Sequence, residues 1–151
     1  HTVDATETIN RIISQFPTHQ QVQARLTLGS IIKGVVSQRL LPRADGKGMC
    51  PALEIMVATE RVREMIEDQQ RTRELKDAIA EGNYPYGMIT FDQSLAELVK
   101  NKLVTYEEAL KNSTSPSDFA LLFRGVSAGG SGVEAAGGGQ AHEFQIDRFG
   151  K

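Results

Sequence analysis

Apolar residues near the start of the chain recur at helical spacing. Ile9, Ile12, Ile13 and Phe16 stand at i, i+3, i+4 and i+7, so a helix through them carries one apolar stripe. Asp4 and Glu7 have the spacing of a capping box, Asp4 accepting from the Glu7 amide while Glu7 reaches back, and Pro17 marks the end. Thr18 and Gln21 repeat that spacing. Val22, Leu26 and the Leu28, Ile31, Ile32 group supply apolar contacts for a second helix to about Ser30.

From Ile32 the residues become β-branched and apolar, pass through Pro42-Arg43-Ala44-Asp45-Gly46-Lys47-Gly48, and resume as Leu53-Glu54-Ile55-Met56-Val57. This predicts a β-hairpin whose loop carries an Asp-Gly turn. Thr59 is placed to cap a short helix with Val62, Met65 and Ile66 inward. Thr72 is placed to cap the next, with Leu75, Ala78 and Ile79 inward and Gly82 at its end. Asn83 to Gly87 reads as a loop. Thr90 and Gln93 open a further helix that buries Phe91, Leu95, Leu98 and Val99; Thr105 with Glu108 opens a short one; Ser115-Pro116 opens the last, with Phe119, Leu122 and Phe123 inward.

The expected fold is therefore α/β but mainly helical: two helices, a β-hairpin or small antiparallel sheet, and a cluster of short helices. Beyond Val126, Gly, Ser and Ala dominate, and half of the chain's 14 glycines lie there, the composition of a flexible linker. Ordering such a backbone is costly, so Phe144, Ile146 or Phe149 are expected to hold this tail against another surface, such as a neighbouring chain.

With 151 residues the chain has room for one modest domain. Its 17 basic and 19 acidic residues nearly balance, so no overall field draws it to nucleic acid or an anionic membrane. Cys50 is the only cysteine, which excludes an intrachain disulfide and any all-cysteine metal site, and fits a reducing cytoplasm. No apolar run approaches the roughly 20 residues of a membrane helix. A start at His1 rather than Met leads us to expect a piece of a longer product.

Nucleotide chemistry of the P-loop kind needs a glycine-rich amide cradle, a Lys for the β- and γ-phosphates, and a hydroxyl with an acidic residue for magnesium. Neither Asp45-Gly46-Lys47-Gly48 nor Gly129 to Gly139 fits G-x-x-x-x-G-K-[ST]; they read as a turn and a linker. His19 and His142 have no ligand spacing, and no metal site is expected.

The opening pattern, His1-Thr2-x-x-Ala5-x-x-Thr8-Ile9-x-Arg11-Ile12-x-x-x-Phe16-Pro17, resembles the His box of the type IV pilus and type II secretion motor ATPases. Val35 to Pro42 (VVSQRLLP), Tyr86 to Leu95 (YGMITFDQSL), Glu107 to Leu110 (EEAL) and Ser117 to Phe119 (SDF) continue it in order and at similar spacing, like the C-terminal part of the retraction ATPases, the PilT family. The resemblance covers roughly residues 1 to 125 and rests on several collinear segments rather than one. Lacking the four-cysteine zinc loop common in assembly and secretion members, the chain sides with the retraction branch.

The resemblance implies a RecA-like motor ATPase whose parent protein uses ATP and Mg2+ as a cytoplasmic homohexamer, peripheral at the bacterial inner membrane, to power pilus retraction against an inner-membrane platform protein. Residues 1–58 would end the RecA-like core, 59–125 would form a C-terminal helical cluster, and 126–151 would be the tail. His1 would sit beside the γ-phosphate as a catalytic and nucleotide-binding sensor, and the Thr2–Pro17 helix would pass its state towards Arg63. Imidazole suits that role, donating from one nitrogen and accepting at the other; read without the resemblance, a terminal His is a solvated one. Arg11, Gln38, Arg39 and Arg63 match family positions and would serve the motor or its subunit boundary.

Plainer readings stand beside these. Arg11 fits the polar face of its helix, and Gln38 and Arg39 fit outward-facing strand residues. The family's Ala-Ile-Arg-Asn-Leu-Ile-Arg-Glu motif, associated with retraction, is here Arg61-Val62-Arg63-Glu64-Met65-Ile66-Glu67-Asp68. It keeps Arg63 and Ile66 but replaces Ala by Arg61, Asn by Glu64 and the second Arg by Glu67, which also fits an exposed helix laced with ion pairs between neighbouring turns. A different class of function, a non-catalytic helical module that binds a protein partner, remains the alternative. The chain alone, lacking the phosphate cradle, is expected neither to hold nor to hydrolyse ATP.

Overall fold

The computed structural model describes residues 3–128; His1 and the tail residues Phe144, Ile146 and Phe149 lie outside the described residues. The elements run α1 (Ala5–Ser14), α2 (Gln21–Ile31), β1 (Gly34–Pro42), β2 (Met49–Val57), α3 (Glu60–Glu67), α4 (Leu75–Glu81), α5 (Phe91–Lys100), α6 (Tyr106–Asn112) and α7 (Pro116–Ala128). Two helices, a hairpin and a helical cluster are therefore present as the periodicity predicts, and no strand occurs among the described residues after Val57.

β1 and β2 pair antiparallel along their whole length, from Gly34 opposite Val57 to Pro42 opposite Met49. The Asp-Gly turn lies in the connecting loop, where Gly46 takes φ +70°, a backbone region that favours glycine. Strand alternation puts Val35, Ser37, Arg39 and Leu41 of β1 with Cys50, Ala52, Glu54 and Met56 of β2 on the face covered by the helices. Towards the open end of the hairpin, Met56 packs with Ala5 and Ile9 of α1, Val62, Met65 and Ile66 of α3, and Leu75, Ala78 and Ile79 of α4. Towards its loop, Leu41, Cys50 and Ala52 pack with Phe91 and Leu95 of α5, Val104, Ala109 and Phe119. The hairpin is thus the common wall of two apolar clusters. Its other face exposes Val36, Leu40 and Met49.

Several helix starts form as the capping signals predict. Asp4 accepts from the Glu7 amide at 2.7 Å, Thr59 from Val62, and Thr105 from Glu108, while Thr90 and Gln93 form a complete reciprocal box. In α1 the return bond shifts by one residue, because Glu7 accepts from the Val3 amide instead of that of Asp4. Thr18 and Thr72 do not cap. Each opens a short 3-10 turn instead, and the Thr72 hydroxyl lies 3.2 Å from the Met65 and Asp68 carbonyl oxygens.

The buried face of α2 differs from expectation. Val22 is 70% exposed and Leu26 44%, whereas Arg25 and Gly29 are buried and Leu28 and Ile32 pack against the core. Positions 25, 28, 29 and 32 also stand at i, i+3, i+4 and i+7, so α2 presents a helical stripe that composition disguises. Gly29 permits the close approach, since a Cβ there would lie 2.8 Å from Glu67 Cγ of α3. The α1 stripe likewise divides: Ile9 and Ile13 are buried, while Ile12 and Phe16 are part-exposed beside Ala24, Leu28 and Ile31, lining a groove of about 410 Å³ between α1 and α2. No helix among the described residues is long and apolar enough to cross a membrane.

Candidate functional site

The N-terminal turn of α1, just after His1, is held by two charged side chains from the hairpin's inner face. Glu54 is 5% exposed and its Oε1 accepts from the Ala5 amide at 2.8 Å. A helix N-terminus leaves such amides without intrahelical partners and favours an anion, so the strand supplies what the helix lacks. Burial pushes the Glu54 carboxyl above its ordinary value; the Ala5 N–H and the Arg39 charge oppose this, while Asp4 adds to it.

Arg39, half-buried, joins three elements. One guanidinium nitrogen donates to the Asn112 carbonyl at the end of α6 at 2.8 Å, the other donates to the Val3 carbonyl at 3.0 Å, and the group lies 3.9 Å from the centroid of the Phe91 ring. The planar fork allows two carbonyls and an aromatic face to be met at once, a geometry lysine cannot reproduce. Arg39 therefore does not face outward. Its neighbour Gln38 does, because adjacent strand residues point to opposite faces.

Two further arginines tie α2 to α3 in both directions. From α2, Arg25 donates to the Ile66 carbonyl at 3.1 Å, to the Thr72 hydroxyl at 3.0 Å, and to Asn10 Oδ1 of α1 at 3.4 Å. Burial lowers its pKa, with nearby Asp68 opposing the shift. From α3, Arg63 donates to the Gly29 and Ser30 carbonyls at 2.6 and 2.9 Å and to the Ala58 carbonyl at 3.2 Å. The Gly29 and Ser30 carbonyls end α2, where a cation meets both unpaired acceptors and the negative end of the helix dipole. Arg63 is thus a helix-end clamp rather than one member of an exposed ion-pair lattice.

The residues that depart from the family motif find partners outside their own helix. Arg61 pairs with Glu81 of α4 at 2.6 Å, Glu64 pairs with Arg71 at 3.3 Å, and Glu67 packs along Gly29. These ion pairs are exposed, so their worth is small. Arg11 lies on the exposed face of α1.

Of the residues singled out from sequence, the structure places Arg39 at the turn that follows His1 and Arg63 at the far end of α2, and leaves Gln38 and Arg11 on outward faces. Glu54, Arg25 and Asn112 were not anticipated. Glu54 had no usable signal: strand parity puts it in line with Ala52 and Met56, but the opposite face carries Leu53, Ile55 and Val57, so alternation alone points the acid outward. Raised in the folded state, its pKa makes a pH-dependent contribution. Between the unfolded value, near 4.5, and the higher folded value, the native protein holds a proton that the unfolded chain has released. That contribution is fully present below the unfolded pKa and is lost as pH rises through the folded one. Glu54→Gln is expected to flatten the stability curve over this interval, which denaturant titrations at successive pH values would measure.

The chain is 32% identical over 124 residues, 82% of its length, to the type IV pilus ATPase PilU of Pseudomonas aeruginosa, and 33% identical over 121 residues to a twitching motility protein of Neisseria gonorrhoeae. A crystal structure of the pilus retraction motor PilT with bound ADP superposes with a TM-score of 0.64 at 35% identity, over 78% of this chain and 32% of that one. No family model matches.

The helical pair, hairpin and helical cluster thus match part of the RecA-like fold of a pilus motor ATPase. Within that class the chain is similar, over about four-fifths of its length, to type IV pilus and twitching-motility ATPases. It spans about a third of the length of the curated relatives it matches, 32% of each.

Proposed function

We propose that this chain is the C-terminal part of a subunit that hydrolyses ATP, with Mg2+, as a cytoplasmic homohexamer peripheral to the bacterial inner membrane, powering type IV pilus retraction through an inner-membrane platform protein. The observation that carries this reading is collinear similarity over four-fifths of the chain to a pilus ATPase, joined to a matching fold. In this reading residues 1–58 end the RecA-like core, 59–125 form the helical cluster and 126–151 the tail. His1 is the nucleotide sensor, and Arg11, Gln38, Arg39 and Arg63 serve motor movement or the subunit boundary.

The described residues offer no glycine-rich amide cradle with its Lys and metal-holding groups, so they do not by themselves fit a triphosphate. What they provide is mechanical. Asn10 and Arg25 join α1 to the end of α3, and Arg63 joins α3 back to the end of α2, so displacement of α1 has a hydrogen-bonded route to the retraction-motif helix.

The test uses the full-length protein. His1→Ala is expected to leave nucleotide affinity within about twofold while slowing hydrolysis at least about tenfold, and to depress retraction in parallel, because a group acting only on the reacting state lowers kcat rather than binding. The purified 151-residue chain is expected to show no steady ATPase activity. A fully active His1→Ala protein would overturn the sensor role, and turnover by the short chain would overturn the reading that phosphate-gripping groups lie elsewhere.

A further inference from the structure

We infer that Arg39 and Glu54 are positioning residues that fix the first turn of α1 against the hairpin, that the action of His1 depends on this turn being held, and that Arg39 ties the turn to the helical cluster through Asn112. The inference rests on the sensor role proposed for His1. It starts from the arrangement of donors and acceptors around residues 3–5. The Val3 carbonyl receives Arg39, the Val3 amide is taken by Glu7, and the Ala5 amide is taken by Glu54.

Each of these bonds closes a different loop. Glu7 is local to the helix and would travel with it. Arg39 and Glu54 come from neighbouring strands, 36 and 49 residues away in sequence, and hold the same turn from outside its own helix. Arg39 stands opposite Ala52 and Glu54 opposite Ser37, so the two side chains sit one pair apart on the same inner face, grasping a carbonyl and an amide of one short segment.

Holding both ends of a peptide segment suppresses translation and rotation together, and a reacting or sensing group two residues upstream depends on that suppression. Misplacement of such a group by about 1 Å costs on the order of 100-fold in rate. The third arm of Arg39 extends the restraint. Its bond to the Asn112 carbonyl and its seat on Phe91 connect the turn to α6 and α5, in the apolar cluster opposite the one that contains Ala5 and Ile9. A shift of the turn thus pulls on both halves of the molecule at a single side chain.

Two measurements test this. In the nucleotide-free full-length protein, amide hydrogen exchange over residues 3–8 is expected to rise at least about tenfold in Arg39→Met and in Glu54→Ala, with α3 and α5 unchanged. Glu54→Gln, which keeps an acceptor oxygen for the Ala5 amide, is expected to restore protection, and Arg39→Lys, which cannot fork, to restore it only in part. If Arg39→Met does not fold, the comparison of Glu54→Ala with Glu54→Gln decides alone. Unchanged exchange in that pair overturns the inference.

The second measurement is a double-mutant cycle on hydrolysis. Residues that act as one unit are non-additive, so His1→Ala combined with Arg39→Lys is expected to turn over within about twofold of His1→Ala alone. Multiplied losses with a slow His1→Ala protein overturn the positioning role while leaving the sensor reading intact. Wild-type turnover in His1→Ala overturns both.

Discussion

Phe119→Ala is expected to destabilise the protein by about 3–5 kcal/mol, as for other aromatic-to-alanine changes in closed cores. Phe119 has no exposed surface and lies against Tyr106 and Phe123, with ring centroids 5.9 and 6.2 Å away. It also anchors α7 in the cluster that contains the loop end of the hairpin, so neighbouring elements cannot easily collapse into the space. Phe119→Leu, which retains most of the volume, is expected to cost no more than about 1.5 kcal/mol. Urea unfolding of the two variants against the wild type measures the difference; equal losses in both would place the effect in ring-specific contacts rather than in the cavity.

Arg25→Met should cost about 2–3 kcal/mol, though it replaces a buried charge by an apolar side chain of similar length. The reason is the partners left behind. The Ile66 carbonyl and Asn10 Oδ1 lose a donor, and the Thr72 hydroxyl loses the guanidinium that approaches it; a buried acceptor without a donor costs more than an average hydrogen bond contributes. Arg25→Lys retains charge but reaches fewer of the three, so it should fall between. Chemical denaturation reports the stability, and amide exchange at the end of α3 reports its location. A neutral Arg25→Met would mean that Arg63 and apolar contacts hold α2 and α3 together without Arg25.

The Arg25 case also marks where reading the sequence fails and why. Caps at Asp4, Thr59, Thr90 and Thr105 are legible because a side chain meets a backbone amide three residues on, a contact that needs nothing from the rest of the fold. Thr72 carries the same signal but is captured by Arg25 from a segment 47 residues away, and its hydroxyl turns to the carbonyls that end α3. In α2, ranking by hydrophobicity selects Val22 and Leu26, whereas the partner surface selects Arg25 and Gly29, one for its reach to a helix end and the other for its lack of a side chain. A stripe that contains an arginine and a glycine has almost no apolar signature.

The sequence by itself determines the order of elements, the hairpin and most helix starts, and the kinship carried by collinear segments, since each depends on residues within a turn or strand of one another. It also determines that Gln38 and Arg39 point to opposite faces, as strand geometry requires. Which of them faces inward was decided by the tertiary structure. So were the burial of Glu54 against the Ala5 amide and the grip of Arg39 on Val3 and Asn112, because these bonds span 36 to 73 residues and exist only once the helices have packed on the hairpin. A charged side chain on a strand carries no mark of its partner; the nearest unsatisfied backbone group, brought there by folding, makes the choice.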